Sequence, residues 1–532
     1  MASFLWNSPH SLRKLLCELV GWKSQTLTDG ERSFAYKLEK KLGELAYFQQ
    51  NPEHVALHDA GLGRNAVTAL YKNKDAKDTI VLLSHFDTVQ TEEYGDLEPL
   101  AFNPEKLTKA LHERKGELPE EARADLESGK YLFGRGTMDM KMGLALHMAL
   151  IEKASVEQWP INLLLATVPD EEVNSAGMRA AVKVLVQLRK RFNLSYKMFL
   201  NSEPSFSQMP GDEKYYIYTG TLGKIMPAAL IYGKETHVGE PLKGITANYI
   251  ASFLTQLMEW NKNFAENDFG ESTPLPVSLL QKDLKMQYST QTPYRAAALY
   301  NVFLMKRTPA EIMDLFEQAA MDAAERFNHS YKAICRQEQT AGVGQVKVLR
   351  YDALHSYAEK KFGTEQLEQL KSEILENRNL DEREKSIGIA DKLMIKCQEL
   401  APAIVLLFAP PYYPAVNSSH EKLVQKSVQI VKKAAEEFSL EVNQVHYFNG
   451  ICDLSYVGYQ DKGEGWTAYE RNTPVWGKLY HIPFSEMRQL QAPVMNIGPF
   501  GKDAHQRTER LHIDSAFVQL PIFLEKLIRS MI

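Results

Sequence analysis

A chain of 532 residues is too long for one ordinary core and implies two domains with an insertion. With 44% hydrophobic and 24% charged residues it is globular, neither disordered nor fibrous, and a net charge of −5 gives no electrostatic case for nucleic acid or an acidic membrane surface. Four cysteines, Cys17, Cys335, Cys397 and Cys452, stand far apart in no Cys-x-x-Cys pair, which excludes a disulfide scaffold and a thiolate zinc site and points to a reducing, cytoplasmic compartment.

Residues 8–22 read as an amphipathic helix, not a signal peptide or membrane span, because Arg13, Lys14 and Glu18 interrupt the apolar positions. A second helix is expected over about 31–45, after the turn Thr28-Asp29-Gly30. Strands are expected at 65–72 and 79–84; the second is almost continuously apolar, as a parallel strand covered on both faces would be. Residues 104–130 form a polar, charged excursion. Gly134-Arg-Gly-Thr-Met-Asp139-Met-Lys-Met-Gly143 reads as a tight turn opening a helix over 142–154, and Lys141 followed by Met142 excludes a phosphate-binding P-loop. A buried-type strand at 161–168, a helix at 175–191 and a short strand at 197–201 complete an alternating α/β pattern, with ligands expected at the carboxyl ends of strands.

The texture changes after Gly220. A strand at 225–232, a helix at 247–260, a strand at 296–305 and a helix at 310–327 suggest a small inserted α+β domain. Residues 352–400 are rich in Glu, Lys, Leu and Gln and read as an amphipathic helical insertion. A strand at 403–408, a turn at 410–414, a helix at 420–438, a strand at 491–497 and a last helix at 514–529 follow.

Five chemical groups fall just past predicted strands or strand-like segments: His85, Asp139, Glu172, Glu203 and His505. His85 and Asp87, two apart on a strand, share a face, so the carboxylate can orient the imidazole. Asp170-Glu171-Glu172 crowds three carboxylates at a strand end; a divalent cation compensates their repulsion best, although Lys or Arg could do so. Two imidazoles and three carboxylates without thiolates suit Zn²⁺, Co²⁺ or Mn²⁺. Five ligands exceed a one-metal catalytic site and fit a pair of ions bridged by one carboxylate.

Taken in order, Leu83-Ser-His85-Phe-Asp87-Thr-Val89, the Gly134–Gly143 stretch, Pro169-Asp-Glu171-Glu172, Glu203-Pro204 and His505 resemble the M20 family of metallopeptidases and aminoacylases. Thr221-Leu-Gly-Lys, Gly233-Lys-Glu-Thr-His237-Val-Gly-Glu-Pro and Asn496-Ile-Gly-Pro-Phe-Gly-Lys-Asp-Ala-His505 resemble its RocB-type arginine-utilisation branch. The resemblance implies that His85 and Glu203 hold one ion, Glu172 and His505 the other, that Asp139 bridges them, and that Asp87 supports His85. It implies Glu171 as general base and His237 as an oxyanion stabiliser that, in dimeric members, reaches the active site of the other subunit, which makes a homodimer one of the expectations. The family's carboxylate-binding Asp-x-Arg is replaced here by Lys306-Arg307, so a clamp must come from these residues if from any.

The expected architecture is α/β: a mixed-sheet metallohydrolase catalytic domain over 1–221 and 401–532, an inserted smaller α+β domain of the lid or dimerisation type over 222–350, and the helical insertion at 351–400. The expected reaction is hydrolysis of a peptide or N-acyl amide bond in a small amino-acid-type substrate with two divalent ions, Zn²⁺ foremost, and neither nucleic acid nor membrane as partner. The branch resemblance adds a role in arginine catabolism. An N-acyl-amino-acid or ureido/amidino hydrolase, and a non-catalytic metal- or amino-acid-binding member, are the rival readings.

Overall fold

The computed structural model describes residues 4–209, 211–212, 214–285, 287–460 and 465–532. The chain divides into two units, one of Met1–Thr221, Val416–Gln460 and Pro483–Ile532, the other of Leu222–Ala415 and Asp461–Ile482.

The first unit is built on an eight-stranded mixed sheet in the order Val55–Gly61, Arg64–Tyr71, Asn162–Val168, Asp78–His85, Ser195–Asn201, Val494–Asn496, Tyr215–Tyr218, Val442–Val445. Its centre is parallel, Asn162–Val168 beside Asp78–His85 beside Ser195–Asn201 beside Val494–Asn496. Every residue of Asn162–Val168 is buried, and so is all of Asp78–His85 after its first residue, as the unbroken apolar runs require of strands covered on both faces. The carboxyl ends of these parallel strands therefore lie along one edge, where an open α/β sheet presents its ligand crevice.

Helices cover this sheet. Ser8 caps the helix Pro9–Gly21 by accepting the N–H of Ser11, and Leu12, Leu15, Leu16 and Leu19 form its buried stripe. Met142–Glu157 is buried on nearly all sides. The polar, charged excursion over 104–130 folds in part into the helices Pro104–Glu113 and Glu120–Glu127, which bury Leu107, Leu111, Ala122 and Leu126 at helical spacing. A separate three-stranded sheet joins Gly501–Lys502 to Arg510–His512 and the latter to Tyr131–Phe133.

The second unit carries a five-stranded sheet in the order Val277–Asp283, Arg295–Leu304, Gly223–Tyr232, Ala403–Tyr413, Lys347–Arg350. The helices Ala247–Met258 and Pro309–Gln337 accompany it, and the insertion forms three helices, Tyr351–Phe362, Thr364–Leu375 and Glu382–Lys396. Ala403–Tyr413 pairs with Gly223–Tyr232, so the sequence-drawn boundary at 401 falls just before a strand of this sheet, and 401–415 belongs to the second unit. Pro410 and Pro411 do not end that strand in a turn. They sit in a break of register between Ala409 and Tyr413, where a residue without an N–H does least harm to the ladder.

Candidate metal centre

Three of the five predicted ligands, His85, Glu172 and Glu203, are delivered by neighbouring strand ends of the large sheet of the first unit. His85 closes the strand Asp78–His85, Glu171 and Glu172 follow Asn162–Val168, Glu203 follows Ser195–Asn201, and His505 lies in the loop between Gly501–Lys502 and Arg510–His512. Asp139 comes from the turn after Tyr131–Phe133, the strand that pairs with Arg510–His512. The small sheet thus ties the Asp139 turn to the His505 loop.

Backbone proximity sets the Glu203 side. A Cβ on Gly143, at the start of Met142–Glu157, would stand 2.6 Å from the carbonyl oxygen of Ser202, and one on Gly498 would stand 2.0 Å from that of Glu203. Only glycine lets the helix and the loop after Val494–Asn496 close on the Ser202–Glu203 backbone from two sides.

The donor atoms form two groups that share Asp139. His85, Asp139 and Glu203 offer atoms within 4.8 Å of one another, as do Asp139, Glu172 and His505. His85 Nε2 lies 3.3 Å from Asp139 Oδ1 and 3.5 Å from Glu203 Oε1. His505 Nε2 lies 3.1 Å from Asp139 Oδ2 and 3.1 Å from Glu172 Oε2. One carboxylate therefore presents one oxygen to each group. His85 Nδ1 donates to the backbone carbonyl of Asp87 at 3.1 Å, which fixes the ring and turns Nε2 toward the cluster.

Burial and charge act against each other in this cluster. Burial pushes the carboxyls of Glu171 and Glu203 well above the usual range against the pull of His85, and the negative charges around them add to the rise. Burial also raises Glu172, helped by Asp139 and opposed by His505. Burial would raise Asp139 too, but hydrogen bonds from His505 and His85 hold it below the ordinary carboxylate range. Asp139 and Glu172 raise His505. Glu172 Oε1 is buried without a hydrogen-bond partner among the described residues. A surplus of buried carboxylate, an unsatisfied oxygen and two oriented imidazoles form a donor set that fits a pair of divalent cations.

Behind the donors lies a supporting layer. Asp87 accepts the backbone N–H of Glu171 at 3.1 Å and of Glu172 at 3.3 Å, and the Thr26 hydroxyl at 2.9 Å. Glu509 accepts from Arg135 Nη1 at 2.7 Å and from the Met138 N–H at 3.4 Å, and its carbonyl accepts the Gly134 N–H at 3.1 Å. Burial lifts the Glu509 carboxyl to about 7 although Arg135 opposes it. Asp453, 3% exposed, stands close enough to Glu171 and Glu203 to raise both, and burial lifts its own carboxyl to about 7. Sequence reasoning missed Glu509, Arg135 and Asp453. Glu509 follows the predicted ligand His505 by a few residues and was open to suspicion on that ground, whereas Asp453 follows no strand and carries no such signal.

The remaining predicted residues lie in the second unit. His237 is exposed, and its Nδ1 accepts the Gly239 N–H at 3.0 Å. Lys306 Nζ pairs with Asp268 at 2.6 Å and Arg307 Nη1 donates to the carbonyl of Asn263 at 2.8 Å, so carboxylate binding by either would compete with a local partner. The backbone N–H groups of Met305, Lys306 and Arg307 all reach the buried carboxylate of Glu266.

Residues 81–530 match the family described as Peptidase family M20/M25/M40. The chain is 40% identical over 534 residues to "Uncharacterized protein YqjN" of Bacillus subtilis (strain 168), covering 99% of this chain and 97% of that protein. It is 29% identical over 540 residues to "Protein RocB" of the same organism, covering 98% and 94%. The solved structure of the M20 family metallo-carboxypeptidase Sso-CP2 from Sulfolobus solfataricus is similar with a TM-score of 0.55 at 13% identity, over 98% of this chain and 99% of that one, a likeness of fold.

Proposed function

The chain belongs to peptidase family M20/M25/M40 and is a metal-dependent hydrolase, and from that premise we propose that it cleaves a peptide or N-acyl amide bond in a small amino-acid-type substrate at a two-ion centre. The observation that carries this reading is the division of the Asp139 carboxylate, Oδ1 toward His85 and Oδ2 toward His505. In this assignment His85, Asp139 and Glu203 hold one ion and Asp139, Glu172 and His505 the other. Zn²⁺ is the first choice for an imidazole and carboxylate set, with Co²⁺ and Mn²⁺ the alternatives.

Two bound divalent cations supply Lewis-acid polarisation of the scissile carbonyl and acidify a water. Glu171 is assigned as the general base. Its Oε2 lies 3.9 Å from His85 Nε2, at the edge of the donor cluster yet outside both donor groups. It takes the proton of the attacking water and returns it to the leaving nitrogen. Asp87 holds the backbone of the base while its own carbonyl orients His85. His237 is assigned to the developing oxyanion on the motif resemblance alone; its Nδ1 accepts the Gly239 N–H, which leaves Nε2 as the ring nitrogen that can donate. Cytoplasmic location and a place in amino-acid catabolism, that of arginine in particular, complete the proposal and rest on the motif resemblance.

The test is a screen of dipeptides and N-acyl amino acids, arginine derivatives included, against protein loaded with Zn²⁺, Co²⁺ or Mn²⁺. Release of a free amine with at least one metal is the expected result. Tight binding of amino acids with no hydrolysis under any metal would leave a binding protein in its place.

A further inference from the structure

The base and one ligand of the proposed centre, Glu171 and Glu172, sit on a turn whose geometry is unusual. Asp170, just before them, is in the left-handed region with φ 68°. A non-glycine residue there needs outside support. Its carbonyl accepts the N–H groups of Asn174 at 3.2 Å and Ser175 at 2.5 Å, and its Oδ2 accepts the Ala176 N–H at 3.0 Å, at the start of the helix Ala176–Arg191. Its Oδ1 is held by the guanidinium of Arg64.

Arg64 is placed for this by strand register. Arg64–Tyr71 runs antiparallel to Asn162–Val168, with Val67 opposite Thr167. The same register, continued past the last ladder pair, sets Arg64 opposite Asp170. The side chains of Arg64 and Asp170 are 6% and 3% exposed, so the pair is shielded from solvent, where an ion pair is strong in place and costly to break. Arg64 Nε also donates to the Gly61 carbonyl at 3.3 Å, anchoring the guanidinium to its own hairpin. Asp87 grips the Glu171 and Glu172 amides, and Arg64 grips the residue before them.

We propose that Arg64 is a positioning residue that, through Asp170, sets the turn carrying Glu171 and Glu172 and so governs the metal position formed by Asp139, Glu172 and His505. The inference rests on the two-ion reading for its metal term, but the turn itself exists without metal. Arg64 touches neither group of donor atoms. Its effect is therefore selective: one ion position depends on it and the other, formed by His85, Asp139 and Glu203, does not.

The experiment uses full-length Arg64→Met and Arg64→Lys, with Asp170→Asn as a second route to the same break should Arg64→Met fail to fold. Hydrogen exchange of the metal-free proteins is followed in peptides covering residues 169–178. Faster exchange there in Arg64→Met, by about tenfold or more, is expected from loss of an enforced turn. Zn²⁺ titration by calorimetry is expected to show one of two equivalents weakened by about 10–100-fold in Arg64→Met and by less in Arg64→Lys. In a His505→Ala background the surviving equivalent should not respond to Arg64→Met. Unchanged exchange across 169–178 overturns the proposal whether or not the protein binds metal. Equal weakening of both equivalents, or a Lys variant no better than Met, also overturns it. A wild type that binds fewer than two ions sinks the two-ion reading, and the exchange result still decides the role of Arg64.

Discussion

The Asp87 carboxylate accepts the backbone N–H of Glu171 at 3.1 Å. Asp87 thereby links the histidine strand to the acidic turn, two segments far apart in sequence. Asp87→Asn puts an amide donor where three donors now converge, from Thr26, Glu171 and Glu172. Zn²⁺ affinity is expected to fall about 10–100-fold, read by competition with a chromogenic chelator, because partners behind the ligands orient them. Unchanged affinity would mean that the turn is held without Asp87.

Glu171→Gln is expected to keep both metal equivalents, since Glu171 belongs to neither donor group. Turnover of whichever amide the screen identifies should drop by about 100- to 10,000-fold, the range for loss of a general base. Parallel metal analysis and steady-state rates separate the two effects. A variant with near-normal kcat would remove Glu171 from the mechanism.

Asp139→Ala should abolish both equivalents, because Asp139 alone contributes an oxygen to each group. His505→Ala should weaken one equivalent and spare the other. Calorimetric titration of the two variants side by side tests the bridge: matching losses in both would show that the ions do not share Asp139.

His147 gives a pH dependence independent of metal. It is buried, its Nε2 lies 2.9 Å from Ser202 Oγ, and burial pushes its pKa down to about 3. The unfolded chain titrates this group near 6.5 and takes up a proton first as the pH falls. Its contribution is therefore fully present above about pH 6.5 and is lost toward pH 3, at about 1.4 kcal/mol per pH unit. Urea unfolding at pH 6.5 and 5 should show a smaller acid loss in His147→Gln than in the wild type. Equal slopes would refute the assignment.

What could be read in the sequence follows from where chemistry meets apolar runs. His85 closes a buried strand, Glu172 follows one, and Glu203 follows a short strand buried in its last four residues, and these runs are visible without coordinates. Asp139 was legible from the glycines around it, and His505 only as a member of the set. Arg64 was not legible, because its partner follows from the register of an antiparallel neighbour rather than from any spacing along the chain. Glu509 and Arg135 meet across most of the first unit's sequence for the same reason. The strands Tyr215–Tyr218 and Val442–Val445 are short, and the second has only Val442 buried, so neither shows a period. The strand Val277–Asp283 alternates between exposed and half-buried positions without a buried face, which left it indistinct as well.

The order of the central sheet has a consequence for biosynthesis. Val494–Asn496 lies between Ser195–Asn201 and Tyr215–Tyr218, and the partner of the Tyr131–Phe133 strand is Arg510–His512. A ribosome making this chain from its N-terminus exposes His85, Asp139 and Glu203 long before it exposes those two strands. The first unit stays an open half-sheet throughout translation of the second, with the gap beside Ser195–Asn201 unfilled. The nascent chain must keep that edge from pairing elsewhere until residue 496 clears the exit tunnel. Completion of the two donor groups is then an event that follows synthesis, whereas the second unit, whose sheet strands lie between Gly223 and Tyr413, can form its own sheet while the first is still waiting.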